Sequence, residues 1–211
     1  MSAEDEKVHF FCCFVVGASG GSLYKRRNMP AKASSNFARA ILGSASIIAV
    51  LFLVKGIEVL FHLPLQQLGI VPRTVPGLIG IFCSPWLHGN MHHLLANSVP
   101  LFVLLVVLLS NPKYHPYRTL FFIWIASGVG TWLIGRGGAV HIGASSIVFG
   151  LAAFLIVAGL TMKSWRAATI AIFVFLFYGG IFYGALPQNG PISWEGHLCG
   201  AIAGAWSARR L

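Results

Sequence analysis

The stretch His88-Gly89-Asn90-Met91-His92-His93-Leu94-Leu95-Ala96-Asn97-Ser98-Val99-Pro100 leads straight into an unbroken apolar run, Leu101 to Leu109. A helix needs about 20 mostly apolar residues to cross a bilayer, and residues 93–110 meet that requirement behind a polar opening. Five further segments qualify: 37–61, 118–135, 143–162, 166–186 and 192–208. Their connections are short except for residues 62–92. That loop is itself apolar and aromatic (Leu78, Ile79, Ile81, Phe82, Trp86, Leu87), which suits a segment lying partly in the membrane interface. The expected fold is an all-α polytopic membrane protein with six transmembrane helices.

Composition points the same way. Of 211 residues, 56% are hydrophobic and only 9% charged, with a mean hydropathy of +0.77. Soluble domains carry about 25% charged residues, so lipid must serve as solvent here. The formal charge of +10 invites a nucleic-acid reading. The 15 Lys and Arg are scattered between apolar runs, however, and form no continuous basic stripe. We therefore read the charge as membrane topology and expect no nucleic-acid partner. Cys12, Cys13, Cys83 and Cys199 make no disulfide framework and read as small buried hydrophobes.

The first 36 residues differ from the rest. Glu4, Asp5 and Glu6 precede a short apolar run, His9 to Val16, then a Gly/Ser stretch and Lys25-Arg26-Arg27. A signal peptide carries its positive charge before the apolar core, and this run is too short to span. Residues 1–36 are expected to be a weakly ordered or interfacial cytoplasmic tail, with Met29 as an alternative start, and residues 37–211 the six-helix domain.

Lys and Arg also set the orientation. With six spans, one side holds Lys7, Lys25, Arg26, Arg27, Lys32, Arg39, Lys113, Arg118, Lys163, Arg166, Arg209 and Arg210, and the other holds Arg73, Arg136 and Lys55. This bias predicts cytoplasmic termini and outward-facing loops 62–92, 136–142 and 187–191.

Polar groups inside spans are costly and mark function by default. His88, His92, His93 and Asn97 open the second span, Gly143-Ala144-Ser145-Ser146 the fourth, and Trp194-Glu195-Gly196-His197 the sixth. All three spans start from the outward side, so these groups converge at one depth. A serine hydroxyl needs a base to become a nucleophile, and histidine is the usual one. His93 and Asn97, four residues apart, share a helix face and suit an oxyanion, together with backbone N–H groups near Ser145. The sixth span carries Gly196, Gly200 and Gly204, with Gly143, Ser146 and Gly150 offered by the fourth, a spacing that permits close helix contact.

These residues resemble the rhomboid family of intramembrane serine proteases, whose pattern is H-x4-H-x3-N, then G-x-S, then H-x-x-G. They read here as His88 to Asn97, Gly143-Ala144-Ser145 and His197-Leu198-Cys199-Gly200. The resemblance covers about residues 37–208 and implies a six-helix core, Ser145 as nucleophile and His197 as general base. It further implies His93 and Asn97 at the oxyanion, with Phe149 against the histidine. His88, Gly143, Gly196 and Gly200 are supporting residues. No metal or cofactor is implied. Substrates would be single-span membrane proteins, cleaved near the outer interface, and a bacterial plasma membrane is the expected location. Two departures stand out: Ser146 replaces the last glycine of the common G-x-S-G, and the family's frequent Trp-Arg pair in the first outer loop is not evident.

Other residues compete for these roles. Gly17-Ala18-Ser19-Gly20 matches G-x-S-G better, but no span follows it. The cluster His88, His92, His93 lacks the neighbouring Glu of a metalloprotease helix. Glu195, two residues before His197, faces away on a helix, which favours a dyad over a triad. Glu58 is expected to pair with Lys55, and His141 to be a loop residue. The single Asp5 excludes a two-aspartate protease. The alternative functions are a catalytically silent, derlin-type client-binding protein, which would ordinarily lack the Ser or the His, and a small transporter. The apolar lower halves of the spans suit a transporter poorly.

Overall fold

The computed structural model describes residues 31–188, 190 and 192–211, with side chains from Asn36 onward. Ser19, Cys12 and Cys13 lie outside the described residues, as does nearly all of the expected tail. The described residues form seven α-helices: α1 (Ala31–Leu60), α2 (Gly80–Cys83), α3 (Met91–Ser110), α4 (Pro116–Ile134), α5 (Ser145–Thr161), α6 (Trp165–Tyr178) and α7 (Trp194–Ala208), and from Lys32 to Leu211 they belong to one compact unit. No strand occurs among the described residues. An isolated antiparallel β-bridge pairs Ile70 with His141.

Among the described residues, four stretches are long and apolar enough to cross a membrane: Asn36–Leu60, Met91–Ser110, Pro112–Ile134 and Trp165–Ala185. The helices α5 and α7 are shorter, at 17 and 15 residues. The first helix begins before the expected residue 37. The expected span 166–186 divides into α6 and a 3-10 segment, Gly179–Ala185. That change of pitch falls at Gly179-Gly180, where two glycines weaken the α-helical preference.

Helix α5 stands at the centre. Its residues Ile147 to Leu155 are all buried, as expected for a helix apolar on every side. It packs on α7, α6, α3 and α4, most extensively on α7. Leu94, Leu104, Leu105, Leu108, Ile123, Leu151, Phe154 and Leu155 are wholly enclosed in the core. The outer face is also apolar. Phe173, Phe175, Leu176 and Phe177 of α6 are exposed, which only a lipid solvent makes favourable.

Glycine brings α5 and α7 together. A Cβ on Gly200 would run into the Ser146 carbonyl, and one on Gly204 into the Gly150 carbonyl. Gly150 in turn faces the Gly200 carbonyl. Gly143 is not part of this seam, contrary to the sequence expectation. It precedes α5 in the chain and packs against α3 instead.

The 62–92 loop is folded into short helical turns, with Cys83 ending α2. The loop is tied down by backbone acceptors. Arg73 Nη1 donates to the Leu133 and Gly135 carbonyls (3.0 and 2.9 Å). The indoles of Trp124 and Trp132 donate to the Ile81 and Thr74 carbonyls, both at 2.8 Å.

Candidate active site

Ser145 is the first residue of α5, and His197 the fourth of α7. The close seam between these helices leaves His197 Nε2 at 2.8 Å from Ser145 Oγ. His197 Nδ1 lies 2.8 Å from the Gly184 carbonyl oxygen. A carbonyl only accepts, so Nδ1 carries the proton and Nε2 of the neutral ring presents its lone pair to the serine hydroxyl. Phe149, one turn beyond Ser145, stacks on the imidazole with centroids 4.1 Å apart and planes 13° apart. The ring is thereby held on one face and at one edge.

A second group of side chains approaches from α3. Gly143 has φ +114°, a conformation that favours glycine. A Cβ there would stand 2.9 Å from the His93 ring and 3.5 Å from Asn97 Nδ2. Both side chains therefore lie against the peptide that leads into Ser145. The Gly143 N–H donates to the Ser84 carbonyl at 2.8 Å, which fixes the turn. Asn97 is buried, and its amide nitrogen has no hydrogen-bond partner among the described residues. A buried donor without a partner costs about 1–3 kcal/mol, and a ligand oxygen would relieve that cost.

His88 braces the opening of α3. Its Nε2 accepts from the Ala144 N–H at 3.5 Å, and its ring meets that of His93 edge to face at 5.1 Å. Lys55 Nζ donates to the His88 carbonyl (2.9 Å) and pairs with Glu58 (3.0 Å). Gln66 bridges Glu58 and the Gly89 carbonyl. Burial and the neighbouring His93 push the His88 imidazole down to about 4, so it stays neutral at ordinary pH.

The loop before α5 and the start of α7 are also latched together. Arg136 Nε lies 2.7 Å from Glu195 Oε1, and the guanidinium donates to the Gly190 and Ile192 carbonyls. His141 Nδ1 lies 2.6 Å from Ser193 Oγ. Burial, the largest influence, lowers the His141 imidazole from its ordinary value. Glu195 thus faces Arg136. Gly196 packs against the Ser193 hydroxyl, where a Cβ would stand 2.9 Å away. Ser145, His197, His93, Asn97 and Phe149 share a cavity of about 840 Å³, which His92 and His141 also border.

Residues 76–211 match the Rhomboid domain. The chain belongs to the rhomboid family. An uncharacterized protein of Mycobacterium tuberculosis is 40% identical to this rhomboid over 198 residues, 88% of this chain and 82% of its own. One from Mycobacterium leprae is 38% identical over 187 residues, covering 82% and 73%. A protein of Acanthamoeba polyphaga mimivirus that carries a rhomboid name is 30% identical over 142 residues, covering 63% and 74%. No solved structure gives a significant match. Family membership and the long apolar helices together make this rhomboid a multi-pass membrane protein.

Two contacts at the site could not be read from side-chain spacing in the sequence. The Gly184 carbonyl is a backbone group, and only the cluster Gly179, Gly180, Gly184 hinted that the fifth span breaks there. The Arg136–Glu195 latch joins residues 59 apart in sequence, a pairing no local pattern contains.

Proposed function

We propose that this rhomboid is an intramembrane serine endopeptidase with Ser145 as nucleophile and His197 as general base. The contact that carries this reading is the 2.8 Å approach of His197 Nε2 to Ser145 Oγ, with Nδ1 anchored on Gly184. The six apolar helices would cross the bilayer with both termini in the cytoplasm, and a bacterial plasma membrane fits the mycobacterial relatives.

Ser145 Oγ attacks the scissile carbonyl while its proton passes to His197 Nε2, and the Gly184 carbonyl stabilises the resulting imidazolium through Nδ1–H. The Asn97 amide, the His93 ring and the backbone N–H at the start of α5 receive the oxyanion. Collapse of the tetrahedral intermediate breaks the C–N bond, and His197 returns the proton to the leaving amine. Water, deprotonated by the same histidine, then hydrolyses the acyl-enzyme. No carboxylate takes part, because Glu195 is engaged by Arg136. Substrates would be single-span proteins whose helix unwinds near the outer interface.

Labelling of detergent-purified protein by a fluorophosphonate probe tests the dyad. Wild type and Ser19→Ala are expected to label, whereas Ser145→Ala and His197→Ala are not. A folded wild type that fails to label would instead support the silent client-binding reading.

A further inference from the structure

We propose that a groove between α4 and α7, remote from Ser145, binds an anionic phospholipid, with Arg118 and Arg210 on its phosphate. The two helices are antiparallel neighbours, so the beginning of α4 meets the end of α7. Arg118 lies in the first turn of α4 and Arg210 just past the end of α7, and with His115 they border one cavity of about 820 Å³. From this basic mouth the groove continues between apolar walls, including Phe122, Val129 and Trp206. Its width comes from small residues, Ala126 and Gly130. Its depth is limited where Gly130 abuts Cys199, whose Sγ would lie 2.8 Å from a Cβ at that position.

Charge identifies the occupant. None of the described side chains bordering the groove is acidic. Neither Arg118 nor Arg210 forms an ion pair among the described residues. Arg210 lies over the Trp206 ring at 4.9 Å, which fixes its guanidinium at the mouth. An apolar slot capped by two guanidinium groups and a histidine matches a phosphodiester headgroup with its chains running along the helices. Basic pockets between membrane helices on the cytoplasmic side bind such headgroups. Arg118 and Arg210 both belong to the Lys- and Arg-rich side of the chain. The site depends on the membrane orientation of the helices and not on the dyad.

Thermal unfolding of the full chain in a neutral detergent, with added phosphatidylglycerol or phosphatidylcholine, tests the proposal. Phosphatidylglycerol is expected to raise the midpoint by about 5 °C, and phosphatidylcholine or inorganic phosphate by much less. The rise should vanish in the double variant Arg118→Gln/Arg210→Gln and shrink in Ala126→Leu, which fills the groove. It should persist in Lys163→Gln/Arg166→Gln, which removes equal charge elsewhere on the same side. An equal rise with phosphatidylcholine, or a rise that survives loss of both groove arginines, overturns the site. So does one lost equally in the Lys163/Arg166 control. A lipid-free dimer that dissociates in the Arg118/Arg210 variant would assign the groove to a second copy of the chain and refute lipid as its occupant.

Discussion

Asn97 and Gly143 are the residues on which the oxyanion reading stands. Asn97 holds a buried amide without an acceptor among the described residues, so its removal should barely disturb the resting fold while weakening the transition state. Asn97→Ala is expected to lower kcat by about 10²–10³-fold with an unfolding midpoint close to wild type, measured on a single-span substrate in detergent. A large loss of stability with unchanged kcat would assign Asn97 to packing. Gly143→Ala should also impair turnover, for a different reason. Its φ of +114° is strained for alanine, and the new Cβ would press on the His93 ring at 2.9 Å. A displacement of about 1 Å near reacting atoms costs about 10²-fold in rate. Wild-type kinetics in this variant would show that the turn before Ser145 has slack. Ser146, in place of the family's frequent glycine, meets α7 through its backbone carbonyl opposite Gly200, so the exchange leaves the seam its close approach.

At the scale of elements, the α5–α7 seam sets the Ser145–His197 distance. Gly200→Ala or Gly204→Ala would place a methyl against a backbone carbonyl that has no room to rotate away. Overpacking of this kind costs about 1–3 kcal/mol, and it separates the two helices that carry Ser145 and His197. Both variants should lose fluorophosphonate labelling together with thermal stability. Retained labelling at full rate would mean that the helices slide without parting. The Arg136–Glu195 latch makes a different prediction. Glu195 is almost wholly buried while Arg136 is partly exposed, and removing one partner leaves a charge uncompensated. Arg136→Ala should therefore destabilise more than Arg136→Ala/Glu195→Gln does. Equal midpoints for the two would indicate that the pair contributes little beyond its hydrogen bonds to carbonyls.

For the whole molecule, acid is the expected weakness. His88 titrates near 4 in the folded chain against an ordinary value of 6.5, so the unfolded chain binds more protons between those limits. Stability contributed by the neutral ring is fully present above about pH 6.5 and falls as pH drops towards 4, by roughly 3 kcal/mol in all. A pH series of unfolding midpoints should show this decline, and His88→Gln should flatten it. An unchanged acid limb in that variant would move the weakness to another group. Sequence alone determined the membrane class and the approximate bounds of the apolar segments, because a bilayer imposes length and apolarity on any segment that spans it. It also singled out Ser145, His197, His93 and Asn97 as outliers, since polar groups are costly in such segments. Local spacing could not place Gly143 against α3. Nor could it put the Gly184 carbonyl on His197 or join Arg136 to Glu195. Those contacts depend on how closely helices distant in sequence approach one another, and that distance is decided only when the glycine seam and the folded 62–92 loop pack together.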